Sequence, residues 1–125
     1  MITLNKLLQL QFLYCILGIT FNLISYFLIA TGEKGLTSTI PLQGILVMSI
    51  YGFFLLTGWG RKIVWYRFLM LVSVLVFGYG GILKHLFYLN QYPELYYSVF
   101  AGILGVIINV FGFSLNLMAV FKKFK

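Results

Sequence analysis

Residues 95–120, LYYSVFAGILGVIINVFGFSLNLMAV, decide the fold, because this stretch contains no charged side chain. A helix needs about 20 apolar residues to cross a lipid bilayer, so the run is long enough for one crossing. The whole chain has the same character: 62% of its 125 residues are hydrophobic, 9% are charged, and the mean hydropathy is +1.01. This composition excludes a water-soluble globular domain and predicts a polytopic membrane protein.

Three further apolar runs precede this stretch, and together the four runs predict four transmembrane helices in a single domain, residues 1–125. The predicted spans are about 7–30, 39–58, 68–89 and 95–120. Ser38 or Thr39 is expected to cap the second helix before Pro41, and Pro93 and Glu94 are expected to begin the fourth. Because the runs lack the alternation of a transmembrane β-barrel, we expect an all-α, antiparallel up-down bundle.

The basic residues are concentrated at one predicted end of the bundle. Seven of the nine lie near the termini or in the second turn: Lys6, Arg61, Lys62, Arg67, Lys122, Lys123 and Lys125. Both acids, Glu33 and Glu94, lie in the opposite turns. Since basic loops stay cytoplasmic, the sequence predicts an inner- or plasma-membrane protein with both termini in the cytoplasm. Aromatic residues are expected at the inner interface (Trp59, Trp65, Tyr66) and at the outer one (Tyr88, Tyr92, Tyr96, Tyr97).

Small and polar residues recur along one face of the fourth helix, at alternating spacings of four and three: Ser98, Gly102, Gly105, Asn109, Gly112, Asn116 and Ala119. The first helix carries a shorter stripe of the same kind: Gln11, Cys15, Gly18, Asn22 and Ser25. In lipid, such residues permit close backbone approach and interhelical hydrogen bonds, so both stripes are interpreted as helix-packing surfaces. In an antiparallel pair, Asn22 and Asn109 lie near mid-membrane, where they would bond to each other or line a polar path.

Lys84 and His85 form a second polar feature, near the end of the third span. One interpretation is a lysine that extends to the headgroups with a histidine beside it. The other is an outward-facing polar pocket in which Lys84 pairs with Glu94 or Glu33.

Few side chains that could perform chemistry remain. One histidine, one cysteine and two glutamates cannot build a multi-histidine metal site or a bis-histidine haem site, so we expect no cofactor and no enzymatic activity. The basic residues form no continuous face, so the net charge of +7 indicates contact with anionic lipid rather than with nucleic acid.

Two functional hypotheses follow from these patterns. The first is a non-catalytic accessory subunit of a larger membrane complex, since the loops are too short to form a domain and the packing stripes offer contact surfaces. Its partners would be the lipid bilayer and other membrane-protein subunits or further copies of the chain. The alternative is a small homodimeric transporter or flippase for a lipid-linked substrate, with Asn22, Asn109 and Lys84 lining the path.

Overall fold

The computed structural model describes residues 2–124 and contains four long helices. They are α1 (Leu4–Ala30), α2 (Pro41–Trp59), α3 (Ile63–Gln91) and α4 (Val99–Phe121). Each is long and apolar enough to cross a membrane, and the described part of the chain contains no strand. The predicted all-α class is confirmed, and so are four helices that are long and apolar enough to span a membrane.

The start of α2 differs from the predicted one. α2 begins at Pro41 with Ile40 as its N-cap residue, and no side chain caps it, so the predicted Ser38 or Thr39 cap is wrong. The reason is that both hydroxyl groups have other partners, on the side chains of His85 and Tyr96. Proline tolerates the uncapped position because it has no N–H group to satisfy.

The start of α4 also differs from the predicted one. Pro93–Leu95 form a separate turn of 3₁₀ helix, and α4 begins only at Val99, where the Ser98 Oγ accepts a hydrogen bond from the backbone N–H of Ala101 at 3.0 Å. The prediction that Pro93 and Glu94 begin the fourth helix is therefore wrong. Between turn and helix, Tyr96 takes an extended backbone conformation (φ −111°, ψ 149°), and its side chain is buried inside the bundle.

A stretch of π-helix interrupts α3. Residues Gly78–Leu83 adopt this wider helix between the two α-helical parts, Ile63–Phe77 and Lys84–Gln91. Each π turn holds more residues than an α turn, so the helix face presented to the bundle changes its phase here. Such segments occur frequently at functional sites.

The two ends of the bundle differ in charge. At the end that we call the basic end, Arg61 donates a hydrogen bond to Asn5 at 3.3 Å, and Arg67 donates to backbone carbonyls at the end of α4. The apolar core of this half is formed by side chains from all four helices: Leu4, Leu7, Leu8, Leu55, Met70, Leu115 and Ala119. The opposite end, the far end, holds the starts of α2 and α4.

Arg67 closes the end of α4. Its Nη1 donates to the carbonyl oxygens of Ala119 at 3.0 Å and Val120 at 2.7 Å, and its Nη2 donates to that of Lys122 at 2.6 Å. Its guanidinium also lies 4.9 Å from the centre of the Phe124 ring. These contacts satisfy carbonyl groups that a helix end leaves without partners.

Arg67→Gln is expected to lower the free energy of unfolding by about 1–2 kcal/mol, because three charge-assisted hydrogen bonds are lost at a half-buried position. Thermal unfolding in detergent measures this, and tryptic cleavage after Lys122 should become faster as the end of α4 frays. Lys62→Gln is the matched control, since Lys62 is an exposed basic residue directly before α3, at the same end of the bundle. Equal losses for the two variants would contradict the capping role.

Candidate functional site

A cavity of about 210 Å³, lined by both apolar and polar side chains, lies inside the half of the bundle next to the far end. All four helices and the loop between α1 and α2 contribute to its wall. Its polar and charged lining residues are Asn22, Thr37, Thr39, Gln43, Lys84, His85 and Asn109. The cavity therefore joins two groups of residues that the sequence presents separately, the asparagines of the packing stripes and the Lys84–His85 pair.

Two glycines make room for the cavity asparagines. A Cβ atom on Gly44 would lie 2.2 Å from Asn22 Oδ1, and one on Gly81 would lie 2.8 Å from Asn109 Cγ. Gly44 belongs to α2 and Gly81 to the π-helical segment of α3, so each asparagine packs directly on the backbone of a neighbouring helix.

Asn22 and Asn109 do not bond to each other, although the sequence left this pairing as an expectation. Asn22 Nδ2 donates to the Gly18 carbonyl at 2.9 Å, and Asn109 Nδ2 donates to the Gly105 carbonyl at 3.1 Å. Asn109 Oδ1 accepts a hydrogen bond from the Tyr14 hydroxyl at 2.8 Å. Each amide bonds to its own helix and is half-buried on the cavity wall.

Lys84 begins the second α-helical part of α3 and lines the cavity with an exposed side chain. Its Nζ lies 5.6 Å from the centre of the Tyr88 ring, which is a weak cation–π distance. The predicted pocket of Lys84, His85 and Glu94 is only partly assembled, because Glu94 lies in a different groove with Lys34. Lys84 and Glu94, which the sequence suggested as a pair, therefore line two different pockets.

His85 is buried and fixed by hydrogen bonds through both ring nitrogens. His85 Nδ1 lies 2.8 Å from the Tyr96 hydroxyl oxygen, and His85 Nε2 lies 2.9 Å from Thr39 Oγ1. Ser38 Oγ donates a hydrogen bond to the same Tyr96 oxygen at 3.3 Å. Burial raises the pKa of the Tyr96 hydroxyl above its ordinary value, so it stays protonated and donates to Nδ1. His85 Nε2–H then donates to Thr39, and the histidine ties the α1–α2 loop to α3.

Three aromatic rings close the cavity toward the basic end. Tyr14, Tyr51 and Phe77 contact one another edge to face, with ring centres 5.4 to 5.7 Å apart. All three side chains are buried. We call this cluster the aromatic triad. Phe77 lines the cavity floor, and a Cβ atom on Gly112 would lie 2.3 Å from carbon atoms of the Tyr14 ring.

A fully buried polar cluster, the polar layer, lies beyond the triad and consists of Gln11, Tyr51, Tyr66 and Asn116. Asn116 Oδ1 accepts hydrogen bonds from Gln11 Nε2 at 3.0 Å and from the Tyr51 hydroxyl at 2.6 Å. The Tyr66 hydroxyl donates to Gln11 Oε1. Among residues 2–124, the buried Asn116 Nδ2 has no hydrogen-bond partner, so this layer is incompletely satisfied.

The other stripe residues pack against several different elements. A Cβ atom on Gly18 would lie 2.8 Å from Met48 of α2. One on Gly102 would lie 2.8 Å from Leu89 of α3, and one on Gly105 would lie 3.2 Å from Phe21 of α1. Ser25 is buried and accepts a hydrogen bond from the Leu36 backbone N–H at 2.9 Å, so it anchors the α1–α2 loop.

Tyr66 and Tyr96 are the residues that sequence reasoning misplaced. Both were expected at membrane interfaces, yet they are 0% and 1% exposed and take part in the polar layer and the His85 contacts. The sequence offered a signal for Tyr66, because it lies three and four residues from Ile63 and Met70 on one helix face, both of which belong to the core side. It offered none for the pairing with Gln11, which lies 55 residues away.

These features define a small protein of four helices, each long and apolar enough to cross a membrane, with a cavity in one half of the bundle. Within residues 2–124, no cluster of three His, Cys, Asp or Glu side chains could hold a metal ion. Comparison of the chain with protein families, with curated proteins and with solved structures finds no match.

Proposed function

We propose that this protein is a small transporter or flippase that takes the polar part of an amphipathic, lipid-type molecule into its cavity. The observation that carries the proposal is the cavity itself, whose wall gathers three amides, a histidine and a lysine in a largely apolar bundle. Polar groups at membrane depth are costly unless they serve packing or a ligand. Here both cavity asparagines face an open space.

The proposed orientation places both termini in the cytoplasm, with the four helices antiparallel. Contacts along α1 and α2 support the antiparallel arrangement, because Leu8 lies next to Gly58 and Asn22 next to Gly44. The basic residues support the sidedness, since Arg61, Arg67 and Lys122 lie at the end that also holds Asn5. The cavity then belongs to the outer half of the membrane.

The cavity also reaches the lipid-facing surface between α2 and α3. Val47 of α2 and Val76 of α3 both line it, and these side chains are also 38% and 49% exposed. Gly80 lines it as well, and a Cβ atom there would meet no atom within 4 Å. An apolar tail bound through this opening would stay in lipid while its polar part enters the cavity.

Passage to the inner side requires the aromatic triad and the polar layer to separate. The unpartnered Asn116 Nδ2 supports such a rearrangement, since an unsatisfied buried donor makes the closed arrangement of the polar layer less stable. The conformation described here is therefore interpreted as the outward-facing one of two states.

Gly80→Leu is expected to reduce translocation at least fivefold, because the new side chain fills open space at the cavity mouth without a Cβ clash. The measurement is dithionite bleaching of fluorescently labelled phosphatidylcholine and phosphatidic acid in proteoliposomes. Tyr79→Leu is the matched control, since Tyr79 is the preceding residue, 70% exposed, and does not line the cavity. If vesicles with the unchanged protein bleach no faster than protein-free vesicles for either lipid, the transport function is contradicted.

A non-catalytic subunit of a larger membrane complex is the second candidate. The closed half of the bundle at the basic end favours it, because the cavity does not extend through the described residues of that half in this conformation. Purification in mild detergent tests it: larger membrane subunits at fixed stoichiometry would support it, and a self-contained monomer or dimer that moves lipid would contradict it.

A further inference from the structure

We infer that the cavity binds the anionic headgroup of a lipid, with Lys84 as its charge partner. This inference rests on the proposed function and adds the chemical class of the ligand. It follows from the charges on the cavity wall, from the hydrogen-bonding state of the lining groups, and from the position of the opening.

The charges on the wall are of one sign. Among the described residues, one charged side chain, that of Lys84, lines the cavity, and no carboxylate does. Glu94 belongs to the neighbouring groove, where Lys34 lies too, and Glu33 is exposed in the loop after α1. A low-dielectric wall with one ammonium group attracts an anion more strongly than the same charge would in water.

The ammonium group of Lys84 also has donors to offer. Its contact in the protein is the face of the Tyr88 ring at 5.6 Å, which uses none of its three N–H groups as a hydrogen bond. Gln43 is exposed on the same wall and adds an amide donor, and Asn109 keeps a second Nδ2 hydrogen beyond the one given to Gly105. Several donors and one cation on the wall of the same cavity suit an oxyanion such as a phosphate group.

The position of the opening distinguishes a lipid from a free anion. Lys84 is seven residues from the end of α3, which places it about 10 Å below the far end and near headgroup depth. Gly80 and Val76 lie four and eight residues before Lys84 in α3, so the proposed side opening lies about 6 to 12 Å deeper, at the level of the acyl chains. A headgroup at Lys84 could therefore remain attached to a tail that leaves between α2 and α3.

Titration of the purified full chain in neutral detergent tests the inference, with dioctanoyl phosphatidic acid, dioctanoyl phosphatidylcholine and inorganic phosphate as separate probes. We expect phosphatidic acid to bind most tightly, Lys84→Gln to weaken it about tenfold, and Lys84→Arg to retain most of it. Lys34→Gln and Lys62→Gln are the matched controls, since they remove exposed lysines elsewhere, and their effect should stay within about twofold. Thermal unfolding of each ligand-free variant checks that it is folded.

Each other outcome has a distinct meaning. Equal binding of both lipids with no effect of Lys84→Gln, but loss of both in Gly80→Leu, would overturn the anionic class and leave the proposed function standing. Inorganic phosphate binding as tightly as phosphatidic acid would overturn the lipid source. If neither lipid binds and Gly80→Leu leaves the translocation rate unchanged, the inference and the proposed function are overturned together.

Discussion

Replacing Gly112 by alanine is expected to lower the free energy of unfolding by about 3 kcal/mol, the upper range for overpacking a buried site. The new Cβ atom would lie 2.3 Å from carbon atoms of the Tyr14 ring. That ring cannot move aside cheaply, because it is 0% exposed and contacts both Tyr51 and Phe77. Chemical unfolding in mixed micelles measures the loss. Displacement of Tyr14 should also break its hydrogen bond to Asn109 and alter the cavity wall.

Two other glycine substitutions are matched controls for Gly112→Ala. A Cβ atom on Gly80 would meet nothing within 4 Å, and one on Gly52 would lie 3.3 Å from Cys15 Sγ. Gly80→Ala should leave stability unchanged or raise it by up to about 1 kcal/mol, since alanine favours helix. The stability of Gly52→Ala should lie between those of Gly112→Ala and Gly80→Ala. The same stability for Gly112→Ala and Gly80→Ala would contradict the proposed close contact with Tyr14.

Gln11→Leu is expected to have the second-largest effect, a loss of about 2 kcal/mol, because it removes the acceptor of the Tyr66 hydroxyl and a donor to Asn116 Oδ1. The Tyr66 hydroxyl would remain buried with no partner from α1. Equilibrium unfolding of the variant in detergent gives the difference in free energy. Ser114→Ala is the matched control, since Ser114 is exposed and bonds only to its own helix at the Val110 carbonyl.

A double-mutant cycle separates the polar layer from a general packing effect. Asn116→Leu removes the acceptor shared by Gln11 and Tyr51, and it also removes the unpartnered Nδ2 group. If the two amides act as one unit, Gln11→Leu with Asn116→Leu should cost at least about 1 kcal/mol less than the sum of the single changes. Additive losses would show that the two amides stabilise the bundle independently.

Much of the fold could be predicted from composition and the positions of polar breaks. The four spans follow from apolar runs of sufficient length, and their centres agree with α1 to α4. The ends were less predictable because local capping rules compete with tertiary contacts. Ser38 and Thr39 are good caps by residue type, yet their hydroxyls bond to Tyr96 and His85 across the bundle.

The candidate site was predictable only in its parts. The spacing of small and polar residues drew attention to Asn22 and Asn109, and the rarity of charge in the third span drew attention to Lys84. The π-helical segment Gly78–Leu83 determines which side of α3 faces the bundle at Gly81 and in the helix after it. The shared cavity of these residues depends on this segment. The run Gly78-Tyr79-Gly80-Gly81 was a local signal of an irregular helix, but its geometry depends on the helices packed against it.

The sequence by itself determined that this chain forms four helices long and apolar enough to span a membrane, because such runs satisfy their backbone groups in lipid only as helices when the alternation of a β-barrel is missing. Only the tertiary structure decided what the polar residues do. Gln11 and Asn116 are paired across the bundle, whereas Asn22, Asn109 and Lys84 face a shared space. The physical reason is that hydrogen bonds between helices depend on which faces meet and at what depth. Residue spacing along one helix cannot specify this.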